Sequence, residues 1–290
     1  MKPIEKWNII AKEFTSFLQE EKGLSKNTIL SYTRDVHKWI DFLTEIKYNA
    51  LPHNIQIEDI QLFTSYLLQK KISKSSQCRI ISGLRLFYSF CIEKNHASNS
   101  PLESFSMVYD QRPTPTTLTT KEIDNILQHI PIQKANGLRN RAMIELLYST
   151  GIKITELMEL QIHQLLLEQE VIKIIDNQKQ ERIVPLCPSA ISYLKEYLEK
   201  GKPKFQPQEE YMEYVFFNKY GKPLSRIMAF MIIKKCVQNA GIQKIVNPSI
   251  FRHSFAAHLL ENGADIRLVK ELLGHEWLIT TEIYTTLQKK

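Results

Sequence analysis

The 290 residues suffice for two domains, at roughly 150 residues each, both large enough to bury a core. Hydrophobic residues make up 43% and charged residues 24%, which excludes a disordered chain. The excess of 38 Lys and Arg over 31 Asp and Glu leaves +7, favouring an anionic partner such as nucleic acid over a neutral one.

The amino terminus, "MKPIEKWNIIAKEF", carries charges where a signal peptide needs an apolar stretch, and no apolar run reaches the ~18 residues of a membrane span. A cytoplasmic protein is expected. Cys78, Cys91, Cys187 and Cys236 form no Cys-x-x-Cys pair and have no His at zinc-finger spacing, so neither disulfides nor a metal site are expected.

Helical periodicity runs from Ile4 to about His96, with an opening helix near Lys6 to Leu18. In "LSKNTILSYTRDVHKWIDFLTEI" the residues Ile29, Tyr32, Val36, Trp39, Ile40 and Leu43 share one stripe, behind Ser25 as N-cap. Similar stripes in "IEDIQLFTSYLLQKK" and "SKSSQCRIISGLRLFYSFCIEK" complete a four-helix domain over 1–97. Its polar faces carry Lys26, Lys70 and Lys71, and also Arg34, Lys38, Lys74, Arg79 and Arg85, the last five being the candidate phosphate contacts. A merely solvated face is the plainer reading of any one such cluster.

The stretch "ASNSPLESFSMVYDQRPTPTT" lacks periodicity and carries Pro101, Pro113 and Pro115, so 98–118 reads as a linker. Thr119 and Glu122 then form a capping box, with Leu118 and Ile123 as a hydrophobic staple, and open a second domain over 119–290. Helices are expected at "GLRNRAMIELLYST" and "ITELMELQIHQL". A hairpin follows, from "VIKII" to "ERIVPL" across "DNQKQ", then helices from Pro188 to Glu199, Ser225 to Asn239, and Pro248 onward. The fold class is therefore mainly α with a small β-hairpin or sheet.

The chemistry concentrates after Asn247. Ser249 and Arg252, three apart, face the same way on one helix, with Phe251, Phe255 and Leu259 turned inward. A further helix ends at Leu273 with Gly274 as its C′ residue, His275 comes next, and Tyr284 falls on a short helix beyond. A guanidinium, an imidazole and a phenol in one cleft suit phosphoryl transfer: Arg clamps non-bridging oxygens, His handles a proton or hydrogen bond, and Tyr attacks phosphorus. His253 and His258, inside the helix, read as packing or hydrogen-bonded residues, and Glu156 as a group that orients its neighbours.

"FRHSFAAHLLENGADIRLVKELLGH", followed nine residues after its final His by the Tyr of "TTEIYT", resembles the signature of the tyrosine recombinases, most closely their Xer and phage-integrase branch. The similarity extends through "LLYSTGIKITELMEL", "ERIVPL" and the helical amino-terminal module. It implies a core-binding domain and an α+β catalytic domain closing as a C-shaped clamp on double-stranded DNA. It also implies site-specific recombination by four protomers through 3′-phosphotyrosyl intermediates, without metal or other cofactor. A homo- or hetero-tetramer on DNA, with a related recombinase as one partner, is the expected assembly.

Carried over by position, the resemblance makes Tyr284 the nucleophile, Arg252 a phosphate clamp and His275 the imidazole beside the nucleophile. Three positions depart from the family: Lys153 stands for an Arg in "TGIKITEL", Asn177 for the hairpin Lys, and Ser249 for a His. Lys153 keeps the charge without the planar fork, Asn177 cannot donate a proton as an acid, and Ser249 has no pKa near neutrality. Lys179, two residues beyond Asn177, is the candidate substitute acid. The departures leave two readings, an attenuated recombinase and a DNA-binding paralogue that no longer cleaves. A helical protein–protein scaffold is a third, and salt-sensitive DNA binding separates it from both. Only Thr285 to Lys290 follow the tyrosine, so weaker or differently built protomer contacts than in longer relatives are expected.

Overall fold

The structure is a computed structural model that describes residues 3–107, 114–176 and 178–285. The chain divides into two compact units, Met1–Arg112 and Pro113–Lys290. Among the described residues no helix is long and apolar enough to cross a membrane.

The first unit holds four helices, α1 (Pro3–Glu20), α2 (Lys26–Glu45), α3 (Ile57–Gln69) and α4 (Lys74–Glu93). Ser25 caps α2 by accepting from the Thr28 amide at 3.2 Å, and Ser73 caps α4 by accepting from the Ser76 amide at 3.3 Å. Their apolar stripes meet in an aromatic core. Trp7 stacks on Phe87, Trp39 stands edge-on to Phe63, and Phe14 stands edge-on to Phe87. Burying these rings supplies most of the drive to close the bundle. Ala97 and Leu102 are buried in the same core, and Phe105 and Met107 pack against it. The beginning of the expected linker is thus laid onto the bundle by its own apolar side chains, and the middle of that linker, residues 108–113, lies outside the described residues.

The second unit opens with α5 (Thr120–Gln128). Its capping box is complete: the Thr119 amide donates to Glu122 Oε2 at 2.8 Å and the Glu122 amide to Thr119 Oγ1 at 3.2 Å. The central helix α6 (Ala135–Thr150) is buried on nearly every side, and Gly151 stops it in the left-handed region at φ 58°. A Cβ at Gly151 would stand 2.5 Å from the Phe255 ring, so the close packing and the backbone turn both require glycine there.

The expected helix over "ITELMELQIHQL" is shorter than its periodicity suggests. α7 (Ile154–Glu159) ends because Leu160 turns extended and takes the Val215 amide on its carbonyl at 3.0 Å. A single 3₁₀ turn, Ile162–Gln164, follows. The hairpin strands β2 (Val171–Ile175) and β3 (Glu181–Pro185) pair antiparallel, with Ile172 opposite Val184. A two-residue strand, β1 (Leu165–Leu166), adds to β2 and makes the sheet three-stranded, too short an element for periodicity to reveal. At the hairpin tip Asp176 Oδ1 accepts the amides of Gln178 and Gln180 at 2.8 and 2.9 Å, and Lys179 adopts φ 62°.

α8 (Pro188–Glu196) closes into a π turn, Tyr197–Gly201, rather than running straight to Glu199. α9 (Arg226–Asn239) and α10 (Pro248–Glu261) follow, then α11 (Ile266–Leu273) and α12 (Ile279–Glu282). On α10, Phe251, Phe255 and Leu260 are buried, whereas Leu259 is half-buried at the edge of the inward face. Tyr284 sits in a turn two residues beyond α12, not on a helix, and its ring joins a small core with Phe255, Leu260, Val269 and Leu273.

Candidate active site

The ends of two helices build the seat of Arg252. Gly151 caps α6 and Gly274, at φ 63°, caps α11. The Arg252 guanidinium, buried on α10, donates to Gly151 O and Leu273 O, each at 2.6 Å. These carbonyls lie at the negative ends of their helices, which favours a cation. They are neutral groups nonetheless, so burial pulls Arg252 down to about 10, with Arg182 adding to the fall. At neutral pH the group stays charged.

Arg182 of β3 is the second cation here. Its Nη1 and Nη2 reach Glu156 Oε1 and Oε2 at 3.0 and 2.7 Å, and its Nε donates to Leu272 O at 2.9 Å. Glu156, buried at 4%, also accepts the Lys153 amide at 2.8 Å and lies 3.6 Å from the Lys153 ammonium. Burial alone would raise its carboxyl, but Arg182 and Lys153 hold it below the ordinary value. Arg182 and Lys153 thus share one carboxylate, and Arg252 lies within its field. Three cations near one anion leave a net positive cluster that favours an anion.

His275 follows Gly274 and bonds Thr281 Oγ1 through Nδ1 at 2.9 Å. Burial, together with Arg252, Lys153, Arg182 and His253, pushes its pKa to about 4. The imidazole is therefore neutral and offers Nε2, which has no partner among the described residues, as a hydrogen-bonding group. The unfolded chain takes up a proton on this imidazole near pH 6.5, and the folded unit refuses it until about 4. Stability of the second unit is therefore expected to fall as pH drops from 6.5 toward 4. In urea titrations across that range His275→Asn should flatten the slope, and an unchanged slope would trace the loss to other groups.

The Tyr284 hydroxyl and His253 Nδ1 are hydrogen-bonded at 2.8 Å. Residue spacing missed this contact: a single His inside an amphipathic helix carries no local sign of a partner 31 residues away. His258, by contrast, is hydrogen-bonded to the Tyr148 hydroxyl at 3.0 Å. That pair borders a cavity of about 370 Å³ with Arg141, Glu145 and Ser189, which contains none of the groups above.

The remaining candidates lie apart from this cluster. Ser249 is exposed in the first turn of α10, its amide bonded to Asn247 Oδ1 at 2.9 Å, and makes no hydrogen bond to Arg252, His275 or Tyr284. Asn177 lies outside the described residues, as do residues 286–290. Lys179 is exposed at the hairpin tip and pairs with no described carboxylate. In the first unit, Arg34 and Lys74 are exposed, and Lys38 is half-buried within reach of the Asp35 charge. Arg79 is committed internally: its guanidinium holds the fully buried Asp35 with both terminal nitrogens, one at 2.8 Å, tying α4 to α2. Arg85 donates to Phe105 O at 2.5 Å.

A model of the phage integrase family matches residues 116–290, and a model of the phage integrase N-terminal SAM-like domain matches residues 11–95. The tyrosine recombinase XerD of Listeria monocytogenes is 36% identical over 282 residues, 97% of this chain and 95% of that protein. The chain belongs to the phage integrase family. The XerD of Staphylococcus aureus, 38% identical over 281 residues, covers 97% of this family member and is itself covered over 94%. Its fold is shared with a XerH site-specific recombinase solved as a post-cleavage complex on a palindromic difH substrate. There the TM-score is 0.79 at 24% identity, over 96% of this chain and 82% of that one. A lambda integrase dimer bound to a COC′ core site aligns with TM-score 0.74 at 16% identity, over 97% of this chain and 94% of that one.

Proposed function

We propose that this phage integrase family member is a Xer-type site-specific recombinase that cuts and rejoins duplex DNA through a 3′-phosphotyrosyl bond. The observation that carries this is the cluster of cations around Arg252, with the phenol of Tyr284 within its field. Arg252 and Lys153 hold the non-bridging oxygens of the scissile phosphate, and the neutral His275 adds a hydrogen bond. Tyr284 attacks phosphorus, and Lys179 or water protonates the departing 5′-oxygen. Arg34, Lys38, Lys74, Arg79 and Arg85 position the duplex through its phosphates, Arg79 and Arg85 from geometries already fixed by Asp35 and Phe105 O. A tetramer on DNA, of like or related protomers, completes the exchange. Lys153 clamps less tightly than an arginine would, and no acid stands at position 249, so cleavage is slow.

A second reading, a paralogue that binds DNA without cutting it, is favoured by the exposed Ser249 and by the pairing of Lys153 with Glu156. Duplexes retained by the protein from a random-sequence pool, rebuilt with a nick that traps cleavage, separate the two. A detergent-stable protein–DNA adduct is expected from the unaltered chain and none from Tyr284→Phe, with strongly salt-dependent binding in both. Binding without an adduct would support the paralogue, and binding indifferent to salt would sink both readings.

A further inference from the structure

In the proposed cleavage step the phenol proton of Tyr284 must leave as its oxygen attacks, because burial pushes the phenol pKa up and only Arg252 opposes that. The family places a histidine at position 249, and here that position is an exposed serine. One helical turn along α10, on the same face, the His253 imidazole meets the Tyr284 hydroxyl at 2.8 Å. This lies within the roughly 2.6–3.2 Å at which a general base must hold the proton it takes.

We propose that His253 is the general base of strand cleavage, receiving the Tyr284 proton at Nδ1. The inference rests on Tyr284 being the nucleophile. The Tyr284 O–H bond breaks as its oxygen bonds phosphorus. The bond from phosphorus to the 5′-oxygen then breaks, and its electron pair stays on that oxygen, which takes a proton from water or the Lys179 ammonium. His253 becomes an imidazolium beside the anionic phosphate, and on rejoining it returns the proton to the phenol. The groups facing it are Arg252 on its own helix, Tyr284 from the turn after α12, and His275 from the loop before α12. Burial and Arg252 lower its pKa, so the imidazole is neutral at neutral pH, and its tautomer protonated at Nε2 presents a lone pair at Nδ1 to the phenol. Its only hydrogen-bond partner among the described residues is the nucleophile.

The test uses full-length protein and the pool-selected duplexes, nicked to trap the adduct. They are made with either an ordinary 5′-oxygen or a bridging 5′-sulfur, which leaves without an acid. His253→Asn keeps a polar neighbour for Tyr284 but has no basic nitrogen, and His253→Ala opens space for added imidazole. Both are expected to slow single-turnover adduct formation on the order of 10²–10⁴-fold with oxygen and with sulfur alike, while DNA binding is retained. Imidazole should restore part of the His253→Ala rate. The unaltered enzyme should hold its rate at and above pH 6.5, whereas the His253→Asn rate should climb with pH as the phenol ionises. A His253→Asn rate equal to that of the unaltered enzyme overturns the proposal and makes the contact purely positional. Full recovery of both variants on the sulfur substrate also overturns it, by moving His253 to the leaving group. An adduct that survives Tyr284→Phe, or none from the unaltered chain on duplexes it binds, overturns the recombinase reading itself.

Discussion

Replacing Arg252 by Ala is expected to slow adduct formation by roughly 10³–10⁵-fold, the range over which a clamping arginine acts in phosphoryl transfer. The guanidinium is the most deeply buried cation of the site and is held on two sides by neutral carbonyls, so its positive charge is offset there only by Glu156. A bound phosphodiester supplies the missing anion in a medium that screens poorly. Arg252→Lys keeps the charge but loses the planar fork that spans Gly151 O and Leu273 O, so an intermediate rate is expected. Truncation also leaves those two carbonyls without partners, at about 1–3 kcal/mol for each group left unsatisfied. Urea unfolding must therefore be measured beside the single-turnover rate. A folded Arg252→Ala variant within about tenfold of the unaltered rate would remove this residue from the phosphate site.

Glu156→Ala should destabilise the second unit by about 3–5 kcal/mol, the usual effect of removing one partner from a buried ion pair. Its carboxylate takes both terminal nitrogens of Arg182, whose side chain is only 11% exposed, and also the amide that starts α7. Without it three cations face one another with no anion between them. Glu156→Gln keeps the shape and part of the hydrogen bonding, so a smaller loss is expected. A midpoint shift for Glu156→Ala equivalent to less than about 1 kcal/mol would mean that Arg182 finds solvent or another partner. Cleavage should fall in both variants even under conditions where they remain folded, because Lys153 and the β3 stem lose their common anchor.

Legibility followed the range of the interaction. Ser25 and the Thr119–Glu122 box could be read directly because capping joins residues three apart. The hairpin was legible from two β-rich runs around a polar tip. The two-residue β1, the π turn after α8 and the early end of α7 were not, since each answers to packing or to a strand elsewhere in the chain. At the site, the family pattern picked out Arg252, His275 and Tyr284, and in the structure the charge of Arg252 acts on both of the others. It passed over Arg182, which looks like one more charge on a strand until Glu156 is placed opposite it. It read His253 as a packing or hydrogen-bonded residue, as it is, without identifying the partner, because a partner 31 residues away leaves no trace in helical spacing. Arg79 shows the converse: a surface arginine by pattern, it answers a fully buried aspartate.

The two glycine-capped helix ends that seat Arg252 lie far from it along the chain. Gly151 is 101 residues earlier and Leu273 is 21 residues later. No contiguous stretch of polypeptide contains the whole seat, and closing so large a loop carries an entropic cost that only the finished core offsets. A ribosome-bound or partly melted chain therefore leaves Tyr284 as an ordinary phenol, with Arg252 not yet held in its seat. On the proposed reading, folding itself acts as a safety catch, so that the chain becomes reactive toward DNA only once its entire second unit has assembled.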